Sequence, residues 1–346
     1  KYLHYRQFIE RRSSDVSWIY VTEPGAKLAK QGGRYVISRE NETICEVPSA
    51  VVEGVTLFDS IQISSSVIVD FLERNIPLTW LSSTGRFFGR LESTDHQNVL
   101  RQKEQFDALA DKDFCLALAK RVVFGKVYNQ RTILRNYNRR AEDPFIEKVR
   151  SDIRILADKL HMAHSVEEVM GYEGMMARIY FQAIGHILPE EFRFEKRTKR
   201  PPRDYFNSLL SFGYTLLMYD FYSAIVNCGL HPYIGFLHAL RNGHPALASD
   251  LMEPWRPAVV DAFCLSLVTH REISKDYFVK GENGGIYLNR IGRRIFLQAY
   301  ERKMRTVNRY FQGTYSWRHT IQMECDSYSL AVHQRDVEKL KPMVIR

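Results

Sequence analysis

Four side chains of the types that hold a divalent cation stand out in this chain: Glu173, His238, Asp250 and Glu253. Three of them fall between Gly235 and Pro257, around a turn marked by Gly243 and Pro245, in an otherwise apolar stretch. An apolar interior rejects an unpaired carboxylate, which either loses several kcal/mol or takes up a proton. A bound metal ion removes that penalty. Glu173 lies upstream, in Gly171-Tyr172-Glu173-Gly174. Ala177, Tyr180 and Phe181 follow it at one and two helical turns, so its side chain is expected to point into the domain. Asp250 and Glu253 share a face if their segment is helical, and Pro254 marks a break after them. Hard oxygen donors with one imidazole suit a divalent ion that keeps open positions for phosphate oxygens.

Each of these residues also has a purely structural reading. A histidine in an apolar run is commonly a satisfied core residue. An inward glutamate commonly pairs with an arginine, for which Arg178 and Arg256 are candidates. Asp250 or Ser249 serves equally as a helix cap. No single short motif in the set is specific by itself.

The chain of 346 residues carries 49 Lys and Arg against 40 Asp and Glu, a formal charge of +9, which favours a polyanionic partner. The excess is clustered. Arg193, Lys196, Arg197, Lys199, Arg200 and Arg203 crowd one segment. Arg290, Arg293, Arg294, Arg302, Lys303, Arg305 and Arg309 form a second, with Tyr300, Tyr310 and Phe311 interleaved. Arg131, Arg135, Arg139 and Arg140 make a third stripe. Arginine faces with aromatics suit phosphate contacts and base stacking, and no helix-turn-helix, RRM or zinc-finger signature points to base-specific readout.

The elements that position these groups fall into two regimes. Residues 18–91 have strand character, with short strands expected at Trp18–Val21, Arg34–Ser38, Glu42–Val47, Gly54–Leu57, Gln62–Ser64, Pro77–Leu81 and Phe87–Leu91, and one inserted helix over Val67–Arg74. From about Gln97 the period becomes helical, with helices expected at Val99–Leu109, Asp113–Asn138, 144–163, Val166–Leu188, Tyr205–Cys228, Pro257–Val268, Ile291–Met304 and Thr320–Lys341. The expected fold is α+β in two domains: a small β-rich N-terminal domain over 17–96, then a larger all-α domain over 97–346. Residues 1–16 fit neither and read as a linker or the tail of an upstream element. The first residue is not Met, which fits a chain trimmed or cut from a longer polypeptide.

Cys45, Cys115, Cys228, Cys264 and Cys325 are odd in number and far apart, so neither a zinc cluster nor a disulfide framework is expected and a reducing, cytoplasmic location is. Ser208–Leu230 is apolar enough to imitate a membrane span. Asp220 within it argues for a buried core helix and no membrane.

In three places the sequence resembles the CRISPR-associated spacer integrases, the Cas-one family of prokaryotes. The first is Tyr172-Glu173-Gly174 with Ala177 and Tyr180-Phe181. The second runs from Arg200-Pro201-Pro202-Arg203-Asp204-Tyr205-Phe206-Asn207 to Tyr214. The third is Gly235 to Pro257, with His238, Leu247-Ala248 and Asp250-Leu251-Met252-Glu253-Pro254. Their order and spacing match the family over about residues 17 to 340. The resemblance implies a metal-dependent DNA endonuclease and integrase that joins the 3′ hydroxyls of short captured duplexes to the CRISPR repeat by transesterification. A branched-DNA repair endonuclease and a non-catalytic DNA-binding scaffold are the alternatives.

Under the resemblance, the β-rich domain over 17–96 serves dimerisation and the α-helical domain over 97–346 is catalytic; Glu173, His238 and Glu253 hold Mg²⁺ or Mn²⁺, and Asp250 is a nearby catalytic carboxylate. Glu253 stands where some members carry Asp, a longer ligand of the same chemistry. DNA contacts are expected from Arg178, Lys196, Arg197, Lys199, Arg200, Arg203, Tyr205, Asn207, Arg256, Arg290, Arg293 and Arg294. The implied partners are double-stranded DNA with 3′ overhangs, CRISPR repeat DNA, a second copy of the chain, and the small Cas-two protein that bridges two dimers. A fused or associated Cas-four nuclease fits the extra residues 1–16.

Overall fold

In the computed structural model, residues 17–93, 98–310 and 313–345 are described. The linker expected at residues 1–16 lies outside them. The chain is α+β and separates into two compact units, Lys1–Asp95 and His96–Arg346.

The first unit holds β1 (Ser17–Val21), β2 (Lys27–Gln31), β3 (Arg34–Arg39), β4 (Glu42–Pro48), β5 (Val52–Phe58), β6 (Gln62–Ile63), α1 (Ser65–Glu73), β7 (Leu78–Leu81) and β8 (Phe87–Leu91). They form two four-stranded sheets, ordered β1-β5-β7-β8 and β4-β3-β2-β6. Gly32 and Gly33, both at positive φ, close the tight turn between β2 and β3. Strand β2 is absent from the sequence-based expectation, because its apolar content is only Leu28 and Ala29. Leu28 is nonetheless fully buried with Tyr35, Val55, Leu57, Val67, Phe71 and Leu78. Asp70, on α1, is drawn into this core because it accepts from the Tyr35 hydroxyl and from Lys30 Nζ at 2.6 Å.

The second unit is mostly helical. It contains α2 (Val99–Leu109), α3 (Lys112–Asn138), α4 (Pro144–Leu160), α5 (Val166–Ile187), α6 (Tyr205–Asn227), α7 (Ala246–Leu251), α8 (Ala262–Thr269), α9 (Arg290–Arg305) and α10 (Trp317–Gln334). The helix starts are written locally. Asn98, Asp111, Ser165, Asp204, Asn289 and Ser316 each accept a hydrogen bond from the backbone N–H three residues on.

Three expectations are corrected here. The unit is not all-α, since β9 (Phe278–Lys280) pairs with β10 (Ile286–Leu288) and β11 (Val307–Tyr310) with β12 (Gly313–Ser316). Strands of three or four residues are too short to impose a period on the sequence. The last helix stops at Gln334, where Arg335 adopts the left-handed conformation, and Val337–Lys339 is a separate 3-10 turn. Between α7 and α8, Arg256–Asp261 is wound as a π-helix, a local widening that commonly marks functional sites.

Helix α6 is long and apolar enough to cross a membrane, yet 72% of its most apolar window is buried inside the fold. Asp220 is tolerated there because Tyr300 donates to it at 2.7 Å and Arg318 at 2.7 Å. It is the core helix that its acidic residue implied.

Candidate functional site

The run from Gly235 to Glu253 is built around one carboxylate. Asp250, on α7, is fully buried. Its Oδ2 accepts the backbone N–H groups of Phe236 at 2.6 Å and Leu237 at 2.9 Å. Its Oδ1 accepts the backbone N–H of His238 at 3.0 Å and lies 2.6 Å from His238 Nδ1. The loop can approach this closely because residue 235 is glycine: a Cβ there would lie 2.4 Å from Asp250 Oδ2 and 2.8 Å from Ala246. Asp250 is therefore neither a helix cap nor an open ligand. It gathers the loop and holds the imidazole, with the Nδ1 hydrogen directed at the carboxylate, and it leaves Nε2 to face the site.

Nε2 faces Glu253, whose Oε1 stands 3.8 Å away. Asp250 and Glu253 do not share a helical face, because α7 ends at Leu251 and the chain turns before the π-helix. They engage opposite nitrogens of one ring instead. Burial alone would lower the His238 pKa, but the hydrogen bond and charge of Asp250, with the charge of Glu253, outweigh it and raise it.

Glu253 is buried and ion-paired twice: Arg256 Nε is 3.0 Å from Oε1, and Lys126 Nζ donates to Oε2 at 2.5 Å. Burial pushes its pKa up, but Arg256, Lys126 and His238 more than offset this and bring it down to about 2. The same Lys126 ammonium also donates to Glu173 Oε1. Burial works to lower the Lys126 pKa, and the two glutamates overcome it, raising the value to about 12. Glu173 is half-buried on α5, with a quarter of its side chain exposed. Thus Glu173 and Glu253 converge on one ammonium, with His238 Nε2 beside Glu253. Among the described residues no three His, Cys, Asp or Glu side chains close on a common point by themselves.

Behind the carboxylates a second layer fixes the frame. The Arg256 guanidinium lies 4.8 Å over the Tyr214 ring, and Arg197 lies 5.3 Å over it. Tyr214 donates to Asp261, in the π-helix, and Tyr180 donates to the same carboxylate at 3.0 Å. Tyr180 is two turns beyond Glu173, so α5 is tied to the π-helix that follows Glu253. Burial raises the Asp261 pKa to about 6, against the pull of both tyrosine hydrogen bonds.

The structure separates the expected DNA contacts into two groups. Arg178, Lys196, Lys199, Arg200, Arg203 and Arg290 are exposed, and Tyr205 and Arg294 are half-buried. Arg293 and Asn207 are buried, and Arg197 and Arg256 turn inward. Asn207 accepts from Arg197 Nη1 at 2.6 Å and Thr198 N at 3.1 Å, and donates to Lys196 O at 3.0 Å and Asp204 Oδ2 at 2.5 Å. Arg197 also donates to Ser211 Oγ at 3.1 Å. These two residues build the basic loop rather than its outer face.

Lys126 is the site residue that sequence reasoning passed over. The signal was present: it sits on the buried stripe of α3, four residues from both Val122 and Gln130. A lysine on a core stripe requires a buried acid.

The family model described as CRISPR associated protein Cas1 matches residues 19–302. The CRISPR-associated endonuclease Cas1 of Mycobacterium tuberculosis is 31% identical over 313 residues, covering 89% of this chain and 92% of that protein. A Cas4 exonuclease/Cas1 endonuclease fusion of Geobacter sulfurreducens is 35% identical over 317 residues, which are 88% of this chain and 56% of the fusion. A casposase bound to an integration product has the same fold, with a TM-score of 0.83 at 23% identity over 96% of each chain. So does part of a chain in a Cas6-RT-Cas1–Cas2 complex, with a TM-score of 0.82 at 24% identity, covering 96% of this chain and 36% of that one.

Proposed function

We propose that this chain, which belongs to the CRISPR-associated Cas1 family, is a metal-dependent DNA endonuclease and integrase of CRISPR adaptation. It joins the 3′-hydroxyl ends of short captured duplexes to the CRISPR repeat by transesterification. The observation that carries this reading is the convergence of Glu173 and Glu253 on one cation position beside His238 Nε2.

The donor set suits a hard divalent ion. Two carboxylates already hold a positive charge at one point, and the Asp250 contact leaves Nε2 as the free imidazole nitrogen. Glu173, Glu253 and His238 would hold Mg²⁺ or Mn²⁺, which supplies Lewis-acid polarisation of the scissile phosphate. The remaining work falls to the chain itself. Asp250 keeps the imidazole oriented, and Arg256, 3.0 Å from Glu253, neutralises charge there. The exposed Lys196, Lys199, Arg200 and Arg203 lie on the segment that Asn207 locks in place, and they are suited to hold the phosphate backbone.

A second copy of the chain and the small Cas2 protein are the proposed partners, the latter on the precedent of the Cas6-RT-Cas1–Cas2 complex, part of one chain of which shares this fold. An associated Cas4 nuclease follows the Geobacter fusion. The test is incubation, with and without the small partner, of a short duplex and a supercoiled plasmid carrying a CRISPR array, in Mg²⁺ or Mn²⁺ and then in EDTA. Metal-dependent joining that is lost in Glu173→Ala is expected. Cleavage without joining would favour a repair nuclease. Binding without chemistry would favour a scaffold.

A further inference from the structure

The point between Glu173 and Glu253 is filled by a cation of the chain's own. Lys126 is 7% exposed, and its ammonium donates to one oxygen of each glutamate. It is not a surface side chain folded back into a gap, because α3 is pinned on both sides of it. At residue 125 the helix backbone passes so close to its neighbours that a Cβ would lie 3.1 Å from Pro342 and 3.4 Å from Pro254. Asn129, one turn on, donates to Pro254 O at 2.7 Å and to Met343 O at 2.9 Å, and accepts from Ile345 N at 2.9 Å. The lysine is thus held by its own helix against the residue that follows Glu253.

An ammonium and a divalent ion cannot share these oxygens at close range, since like charges a few ångströms apart in a buried site repel strongly. We infer that Lys126 is the internal competitor of the metal site: it holds Glu173 and Glu253 together when no divalent ion is bound, and it must leave at least one of them for an ion to be held. This inference rests on the metal-dependent reading above. It has a consequence for substrate binding. A phosphate that accepts the displaced ammonium favours the ion-loaded arrangement, so metal and DNA bind with positive coupling, and each raises the affinity for the other by the same factor.

The test is Mn²⁺ binding by the metal-free full chain, followed by electron paramagnetic resonance and calorimetry, for wild type, Lys126→Met and Lys126→Gln. Removing the competing charge is expected to tighten Mn²⁺ binding by roughly tenfold or more. The metal-free melting temperature should drop, because Glu173 and Glu253 then lose the ammonium between them and Glu253 keeps only its Arg256 ion pair, and saturating Mn²⁺ should close the gap to wild type. With a non-cleavable DNA duplex present, Mn²⁺ affinity should rise in wild type and rise less in the variants. Unchanged or weaker Mn²⁺ binding in both variants overturns the inference, as does loss of folded protein that Mn²⁺ does not restore. If wild type itself binds no Mn²⁺ in a Glu173-dependent way, the metal reading fails first.

Discussion

Replacing Asp250 with Asn tests the architecture of the site most directly, because it changes the side chain by one atom type. The carboxylate has no exposed surface and serves four donors: three backbone N–H groups and the Nδ1 of His238. Two donors use each oxygen. An asparagine offers one acceptor oxygen and one NH₂ group, so whichever way it turns, two donors face another donor. Each buried donor left unsatisfied costs about 1–3 kcal/mol, which places the destabilisation at about 2–6 kcal/mol. If the NH₂ faces His238, the ring moves its hydrogen to Nε2 and loses the lone pair that a metal needs. Outer partners of this kind are worth roughly 10–100-fold in metal affinity. The assay is urea unfolding of the metal-free chain together with Mn²⁺ binding. An unfolding midpoint equal to wild type would refute the role of Asp250 in gathering the loop. Wild-type Mn²⁺ affinity would refute its role in orienting the imidazole.

Three further outcomes follow from the same structure. Glu324 is fully buried, accepts from Trp255 Nε1 at 2.6 Å and Met343 N at 2.9 Å, and burial outweighs both contacts to push its pKa up to about 8. The folded chain therefore holds a proton there that the unfolded chain releases above the ordinary carboxylate range. Stability should fall as pH rises from about 4.5 to about 8, by about 5 kcal/mol in all, and Glu324→Gln should remove that slope in denaturation curves taken across the window. Asn207→Ala deletes four partly buried hydrogen bonds and should destabilise by about 2–4 kcal/mol; unchanged stability with weakened DNA binding would return Asn207 to the DNA-contacting surface. Gly235→Ala forces a methyl against Asp250 Oδ2 and Ala246 and should lower stability by about 1–3 kcal/mol, read by thermal unfolding; a wild-type melting temperature would mean the loop can retreat from Asp250.

Much of this protein is legible in its sequence because the relevant signals are local. Helices α2 to α6 follow from three- and four-residue apolar spacing, and their starts from Asn98, Asp111, Ser165 and Asp204, each of which acts on a backbone group three residues away. The types of Glu173, His238, Asp250 and Glu253 announce a charged centre in apolar surroundings without any knowledge of the fold. Asp220 likewise marks α6 as a core helix. What such patterns do not encode is partner choice over long separations. Lys126 meets Glu173 across 47 residues and Glu253 across 127, and no local spacing links them. The inward turn of Arg197 is hidden for the same reason: a run of basic residues looks like an outer face until packing turns this member onto Tyr214 and the buried Asn207 amide. The paired short strands β9 to β12 depend on ladders between segments, not on any period within one. Asp250 shows the division in a single residue. Its chemistry is evident from its letter, but its task as the hub of the His238 loop exists only once four donors have been brought to it, because a hydrogen bond requires a geometry that the chain acquires by packing.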